Sequence, residues 1–197
     1  TMTVFLKAAT VAAALLIPFA GAEAATFDFS GPAGTAPSYS YNVDGIGLTV
    51  TAQSYLVQAP LAVTRASGGH GVNAGRFDSN ELDGFGVNEV LIFTFDQEVT
   101  LGDVAFSNVG LFDTFSFFAG ANTPWDFSGA ALASNFDLSG YTGTVFGIGT
   151  INPLSSFRIA SLEATAKDVT APVPLPAAGF VLLGGVAALA GLRRRKS

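Results

Sequence analysis

The sequence predicts an all-β fold, an antiparallel β-sandwich of jelly-roll type, on three observations. The 197-residue chain contains 23 Gly and 18 Phe, a balance typical of short strands joined by tight turns. Residues 46–52 alternate apolar with polar side chains, which is the period of a strand with one buried face. No stretch between Thr26 and Lys167 keeps a helical apolar period over three turns, so helices are not expected in the body of the protein.

Ten further segments have strand-like composition and are separated by turn signals such as Asp44-Gly45 and Ser139-Gly140. In chain order, these predicted strands are residues 26–29, 39–43, 54–58, 61–65, 90–95, 99–108, 114–119, 131–137, 143–150 and 156–166. Residues 90–95 are apolar on both faces, as expected of a central strand that is covered on each side. Two packed antiparallel sheets are the usual way to cover such a strand, and this favours the sandwich.

The N-terminal segment predicts a signal helix that a signal peptidase removes. Lys7 supplies a basic start, residues 8–20 form an apolar run, and Ala22 and Ala24 place small side chains where the peptidase reads. We therefore expect export from the cytoplasm and cleavage after Ala24, with cleavage after Ala22 or Ala25 as alternatives. A buried amphipathic helix is the other interpretation, but this run is apolar all round.

The charge and the cysteine content exclude several classes of partner and site. Residues 26–170 contain 14 Asp and Glu against four Lys and Arg, a net charge of −10. Such an anionic body repels the phosphate backbone, so nucleic acid is not an expected partner. The chain has no Cys, which leaves packing, or a metal ion bound through oxygen, to stabilise the fold.

The glycine-rich acidic segment 65–89 is the candidate metal site. Its candidate calcium ligands are Asp78, Asn80, Glu81, Asp83 and Glu89. Calcium takes about six to eight oxygen ligands from flexible loops, and these side chains are of that kind. Asp78, Asn80 and Glu89 fall at the first, third and twelfth positions of a helix-loop-helix calcium loop, but Leu82 and Asp83 break that pattern. The two interpretations are a structural calcium ion and a solvated loop whose Asp and Asn side chains hold turns.

Enzymatic catalysis is not expected, because the usual nucleophiles and bases are missing. The single histidine, His70, lies in a Gly-Gly-His-Gly setting that indicates a mobile loop, and no Ser lies in a nucleophile-elbow sequence. A carboxylate pair that cleaves polysaccharide is the alternative, since spacing in sequence does not give the distance between two carboxyl groups. The residues available for such a pair are Glu81, Asp83, Glu89 and Asp113.

Trp125, between Pro124 and Asp126, is the best candidate for an exposed aromatic contact with a glycan. Four tyrosines could add to such a stacking surface: Tyr39, Tyr41, Tyr55 and Tyr141. The alternative for most of these rings is packing within the core or against the sheet.

The C-terminal segment predicts a short transmembrane helix with a cytoplasmic basic end. Residues 177–192 are uncharged and mostly apolar; as a helix they span roughly 24 Å, against about 30 Å of hydrocarbon. The stop-transfer residues are Arg193, Arg194, Arg195 and Lys196. Their stems recover part of the deficit, and the positive-inside tendency leaves the acidic body outside. Pro174 and Pro176 force the segment before the helix into an extended shape that an enzyme cleft can bind.

The order of these tail features resembles a known sorting signal. The motif residues are Val173, Pro174, Leu175, Pro176 and Ala177, and the glycine-rich apolar helix and the basic cluster follow them. All three parts are similar, in order, to the PEP-CTERM sorting domain and specifically to its VPLPA variant, in which Leu175 stands where the parent motif has glutamate. The resemblance implies an exosortase-type transpeptidase that cuts near the proline motif in proteins tied to exopolysaccharide and biofilm production.

The sequence therefore predicts an exported, non-enzymatic cell-surface or extracellular-matrix protein that associates with exopolysaccharide. We expect it to be held in the inner membrane, with its body outside the cytoplasm, until the tail is processed. The expected organisation is a signal peptide (1–24), a β-sandwich domain (25–168), a Pro-rich linker with the sorting motif (169–176), a transmembrane helix (177–192) and a basic tail (193–197). The alternatives are a secreted polysaccharide-acting enzyme and an unprocessed, tail-anchored glycan-binding domain.

Overall fold

A computed structural model describes residues 23–120 and 125–167, and these residues confirm the all-β class. Strands and connecting turns make up the described chain, and it contains no helix long and apolar enough to cross a membrane. The predicted signal helix, the linker and the predicted transmembrane helix lie outside the described residues, apart from Glu23 and Ala24 at the end of the leader.

Thirteen strands occur in the described residues. They are β1 (Ala24–Asp28), β2 (Gly34–Ala36), β3 (Ser38–Val43), β4 (Ile46–Ser54), β5 (Pro60–Ala66), β6 (Gly69–Asn73), β7 (Leu82–Asp83), β8 (Glu89–Ser107), β9 (Thr114–Ala119), β10 (Phe127–Ala131), β11 (Asn135–Asp137), β12 (Thr142–Gly149) and β13 (Ser156–Ala166).

The strand pairs, all antiparallel, form a small closed barrel with further strands outside it. Strands β8, β4, β5, β6 and β13 follow one another in the barrel, and β13 pairs back onto β8 to close the ring. Strand β12 continues from β8 through β9 to β10, while β1 pairs with β13 and β3 pairs with β4. Closure leaves these five strands without a free edge along the paired stretch.

Strand β8 joins two predicted strands, 90–95 and 99–108, into one strand of 19 residues. Its first half pairs with β4 and its second half with β13. The polar residues between the halves do not form a turn: Asp96 Oδ1 accepts a hydrogen bond from the Gly47 amide (2.9 Å). The register with β12 shifts at this point, between Gly143 and Val145, and such a bulge bends a strand. Both ends of β8 consequently reach the same end of the barrel.

Two of the other predicted strands are wrong in part. Residues 55–58 form a turn, in which the Ser54 hydroxyl accepts a hydrogen bond from the Ala59 amide (3.2 Å) and Gln58 adopts a positive φ of 51°. Residues 131–137 divide into the end of β10 and the separate strand β11, with a break at 132–134. In the first segment a local hydrogen bond sets the backbone. At the break in the second, the backbone bonds to distant residues: the Leu132 amide donates to the Asp113 carbonyl (2.9 Å), and the Ser134 carbonyl accepts from the Phe106 amide (2.8 Å).

Strand β6 was predicted as a mobile loop because it is rich in glycine. Gly69 has a φ of 112°, and a side chain there would overlap the Ile159 carbonyl of β13. At Gly71 an added Cβ would overlap the Asn80 carbonyl. The glycines are therefore required by close backbone approach inside the barrel, and the segment that they form is buried.

The core is one continuous cluster in which phenylalanine is the commonest residue. Phe93 packs near Phe29 with a centroid distance of 5.7 Å, and Phe117 lies parallel to Phe146 at 6.2 Å. Strand β4 alternates buried and half-buried residues along its whole length, which confirms the alternation predicted for residues 46–52. Each fully buried Phe side chain contributes about 1.5–3 kcal/mol relative to an exposed one, so the absence of disulfides is compensated by packing.

Candidate functional site

Four loops meet at one end of the barrel, which we call the loop end: residues 55–59, 74–88, 108–113 and 150–155. The Tyr55 amide donates to the Asn88 carbonyl (2.7 Å), and the Asn152 side chain donates to the Phe112 carbonyl (3.2 Å). The body's own chain ends lie at the other end, where Ala24 pairs with Thr165. Strand β13 connects the two ends: it begins at Ser156 beside the loop end and reaches Thr165 roughly 30 Å away.

The loop end carries exposed apolar side chains. The large hydrophobic residues that are exposed among the described residues are Leu56, Val57, Phe77, Phe85, Val87, Leu111, Phe112, Ile151 and Leu154. All nine fall in the four loops, and Phe77 is 97% exposed. A concentration of this kind differs from the single exposed hydrophobics scattered over most protein surfaces, and it marks a surface suited to contact with another molecule.

A cleft of about 570 Å³ opens at this end between the 74–88 and 150–155 loops. Phe77, Phe85 and Leu154 supply apolar lining, and Asp78 and Asp83 supply carboxylates. The cleft thus combines an apolar wall with converging polar groups, which is the usual character of a ligand site.

Three carboxylates that the sequence singled out lie together beside the cleft. Asp78, Asp83 and Glu89 each offer an oxygen that lies within 4.8 Å of the others. Asp78 is half-buried, whereas Asp83 and Glu89 are buried. Only oxygen ligands are available in this cluster, so it suits a hard cation such as calcium and not zinc, which prefers nitrogen and sulfur.

Hydrogen bonds hold the two aspartates in place. Asp78 accepts from the Ala74 amide (2.8 Å), and Asp83 accepts from the Ser79 hydroxyl (2.7 Å) and from the Phe85 amide (2.9 Å). Local loop structure therefore fixes these carboxylates before any ligand arrives. Their remaining lone pairs are available for coordination.

Glu89 begins β8 and has 0% of its surface exposed. Its Oε2 atom accepts a hydrogen bond from the Asp83 amide (2.9 Å), while its Oε1 atom is buried without a hydrogen-bond partner in the described part of the chain. Burial raises the pKa of this carboxyl to about 9; the Asp83 amide opposes that shift, and the charges of Asp78 and Asp83 add to it. Glu89 is therefore the residue of this cluster that has a buried oxygen without a hydrogen-bond partner among the described residues.

The other two predicted ligands, Asn80 and Glu81, are engaged elsewhere. Asn80 adopts a positive φ of 62°, and its Oδ1 atom accepts from the Asn73 side chain (2.7 Å). Glu81 accepts from the Ser156 hydroxyl (2.6 Å) and forms an ion pair with Arg158 (3.8 Å). The structure thus brings together three of the five predicted ligands, and it assigns Asn80 to a contact with β6 and Glu81 to contacts with β13.

His70 is buried in β6, so the prediction of a mobile loop at this residue is wrong. Its Nδ1–H donates to the Thr64 carbonyl (3.0 Å), and its Nε2 accepts from the Tyr41 hydroxyl (2.6 Å). The ring also stacks on Phe29 with a centroid distance of 5.0 Å. Burial lowers the pKa of His70 to about 4, and the charges of Arg65 and Arg158 reinforce that shift. The side chain therefore serves the core as a neutral imidazole.

Trp125 is half-buried and packs against the outer face of β9 and β12. It stacks on Tyr55 with a centroid distance of 4.3 Å and an interplanar angle of 21°, and it also contacts Phe118. Packing against Tyr55 and Phe118 therefore covers part of the Trp125 ring, which the sequence predicted as a glycan contact. The stacking on Tyr55 places Trp125 next to the loop end.

Two sets of predicted site residues lie outside the described residues. They are the sorting residues Val173, Pro174, Leu175, Pro176 and Ala177 and the stop-transfer residues Arg193, Arg194, Arg195 and Lys196. Comparisons of the chain with protein-family models, with curated proteins and with solved structures gave no match. The function of this protein is accordingly inferred from its own residues.

Proposed function

We propose that the chain is an exported, non-enzymatic protein of the cell surface or extracellular matrix, processed at its C-terminal sorting signal and associated with exopolysaccharide or biofilm. The observation that carries this proposal is the order of the tail: a proline motif from Val173 to Ala177, a short apolar segment at 177–192 and a basic cluster at 193–196. Each part supplies one step, namely recognition, retention in the membrane and arrest of translocation. Its processing partners are a signal peptidase and an exosortase-type transpeptidase of the inner membrane.

The arrangement of the body supports this proposal. Ala24 pairs with Thr165, and the Lys167 amide donates to the Glu98 carbonyl (2.9 Å), so the leader and the tail both leave from one end of the barrel. The loop end lies at the opposite end. While the tail is held in the membrane, the body therefore presents its apolar loops and its cleft away from the lipid surface.

We further propose that the barrel and its outer strands form a flattened sandwich of jelly-roll type. The long strand β8 supports this, since its first half pairs with β4 and β12 and its second half with β13 and β11. Phe93 and Phe106, one from each half, lie in the same core cluster. A strand that contributes to both layers in this way is a feature of sandwiches whose corners are made by bends and bulges.

Catalysis by a carboxylate pair is the second candidate, because Asp83 and Glu89 lie side by side next to the cleft and the pKa of Glu89 is raised to about 9. A raised pKa suits a general acid. Against this function, Glu89 has no exposed surface with which to reach a polymer. We expect the wild type to cleave no polysaccharide, and Glu89→Gln and Glu81→Gln to behave in the same way. If the wild type does cleave polysaccharide and either variant loses that activity, the protein is an enzyme.

The sorting proposal is tested by replacing the prolines of the motif. We expect Pro174→Ala combined with Pro176→Ala to leave the full-length chain in the inner membrane, because recognition needs the extended segment. Pro172→Ala, just before the motif, is the matched control and should be processed normally. Equal mass and equal location of the double variant and the wild type would instead support the third alternative, an unprocessed, tail-anchored glycan-binding domain.

A further inference from the structure

Three carboxylates converge beside the cleft, and within the described residues no ion pair joins them to a Lys or Arg side chain, although Arg76 lines the same cleft. The ion pairs found in the described residues join Arg158 to Glu81 and Lys167 to Glu98, and neither reaches the cluster of Asp78, Asp83 and Glu89. Like charges within about 4–6 Å of one another disfavour ionisation unless a cation offsets them. The backbone nevertheless holds both aspartates in place with donated hydrogen bonds.

A second observation is independent of the cluster's charge. Glu89 is fully buried, and its Oε1 atom has no hydrogen-bond partner in the described residues, although its Oε2 atom is bonded to the Asp83 amide. Buried polar atoms are nearly always partnered, and one that is not calls for a specific explanation, such as an ion. One oxygen of this carboxyl group lies within 4.8 Å of oxygens of Asp78 and Asp83, so the unpartnered Oε1 belongs to a side chain of the same cluster.

We propose that Asp78, Asp83 and Glu89 bind one calcium ion beside the cleft at the loop end. Three carboxylates supply up to six oxygen atoms, and water from the cleft can complete a coordination number of about six to eight. An oxygen separation of up to 4.8 Å accommodates metal–oxygen distances of about 2.3–2.6 Å. Magnesium, which keeps several waters and usually takes only one or two carboxylates, fits a buried three-carboxylate set less well.

The ion would tie the 74–88 loop to the start of β8. Phe77 and Phe85, the two rings most exposed at the cleft, lie on that loop on either side of Asp78 and Asp83, while Glu89 belongs to β8. Calcium would thus set the position of the exposed apolar side chains that line the cleft. This inference does not rest on the tail, so it can fail or succeed independently of the sorting proposal.

The test is a calcium titration of the full chain, purified in detergent and stripped with a chelator. Intrinsic fluorescence of the single Trp, Trp125, and circular dichroism report the melting temperature. Calcium at a hundred times its dissociation constant should raise the melting temperature by roughly 5–10 °C for a body of this size. Calorimetry should give one ion per chain, and magnesium at the same concentration should give a smaller shift.

Two variants separate binding from folding. Asp78→Asn, at a half-buried position, removes one of the two backbone amide hydrogen bonds that Asp78 accepts but also relieves repulsion, so without calcium it should still fold and melt cooperatively. It should lose the calcium-dependent shift. Glu89→Gln should lose the shift as well, whereas Asp103→Asn, an exposed carboxylate on β8, should retain it. The proposal is overturned if calcium does not stabilise the wild type, if Asp78→Asn keeps the full shift, or if magnesium stabilises the protein and calcium does not.

Discussion

The Tyr41 hydroxyl donates a hydrogen bond of 2.6 Å to Nε2 of His70, and this bond joins β3 to the buried strand β6. A backbone carbonyl can only accept, so the contact between His70 Nδ1 and the Thr64 carbonyl (3.0 Å) places the proton on Nδ1. Nε2 is then an acceptor, and Tyr41 is the group that satisfies it. The pair defines one neutral tautomer of the only histidine in the chain.

Tyr41→Phe should destabilise the protein by about 1–3 kcal/mol, because it leaves His70 Nε2 buried without a donor. Tyr39→Phe is the matched control: the Tyr39 ring also packs near His70, with a centroid distance of 4.9 Å, but no hydrogen bond joins its hydroxyl to the imidazole. Urea unfolding of both variants measures the difference. Equal loss in the two variants would mean that ring packing, and not the hydrogen bond, stabilises this contact.

The buried imidazole also predicts the direction of a pH dependence. The pKa of His70 is lowered to about 4 in the folded protein from its ordinary value of 6.5, so between these values the unfolded state binds more protons. The stability that this group contributes is complete above about pH 6.5 and is lost as the pH falls towards about 4, by an amount on the order of 3 kcal/mol.

Unfolding free energies of the wild type and of His70→Gln at pH 4.5, 5.5, 6.5 and 7.5 test this, since the difference between the two proteins cancels the titration of the carboxyl groups. We expect the advantage of the wild type over the variant to shrink as the pH falls. A difference that is constant across this range would show that His70 titrates alike in the folded and unfolded states.

The close approach of β6 to the 74–88 loop predicts a severe effect at one glycine. Gly71→Ala should destabilise the protein by about 1–3 kcal/mol or more, because the added methyl group overlaps the Asn80 carbonyl and the backbone must move. Gly143→Ala, where a methyl group meets only Phe146 at an ordinary distance of 3.5 Å, should change the stability little. Thermal unfolding of the two variants compares them directly, and similar melting temperatures would contradict the packing assigned to β6.

The sequence predicted most clearly the elements with local periodicity. In β4, Ile46, Leu48, Val50 and Ala52 are buried, as the alternation over residues 46–52 predicts, and the strand continues to a buried Ser54. The bend in β8 was not predicted, because the polar residues at 96–98 resemble a turn. Bonds to residues distant in the chain hold them: Asp96 accepts from the Gly47 amide, Gln97 donates to the Gly45 carbonyl, and the Glu98 carbonyl accepts from the Lys167 amide. Strand β6 was missed since glycine is as common in loops as in closely packed backbone, and only the partner strand distinguishes the two.

The candidate site was likewise predicted in part, because local sequence shows its composition but not its distant contacts. Sequence composition identified the acidic segment and placed Glu89, next to the most apolar strand, among five candidate ligands. It could not distinguish Asp78 and Asp83, which approach Glu89, from Asn80 and Glu81, which turn towards other partners. That choice is made by the fold of the 74–88 loop across β13, through contacts distant in the chain such as the one between Glu81 and Ser156.

The intact mass of the mature protein, isolated from the organism that produces it, tests the central claim of sorting most directly. We expect a chain that begins at Ala25 and ends near Ala177, because the signal peptide and the membrane tail are both removed. An N-terminus at Ala25 with a C-terminus at Ser197 would show export without processing and would contradict the assignment of the tail as a sorting signal.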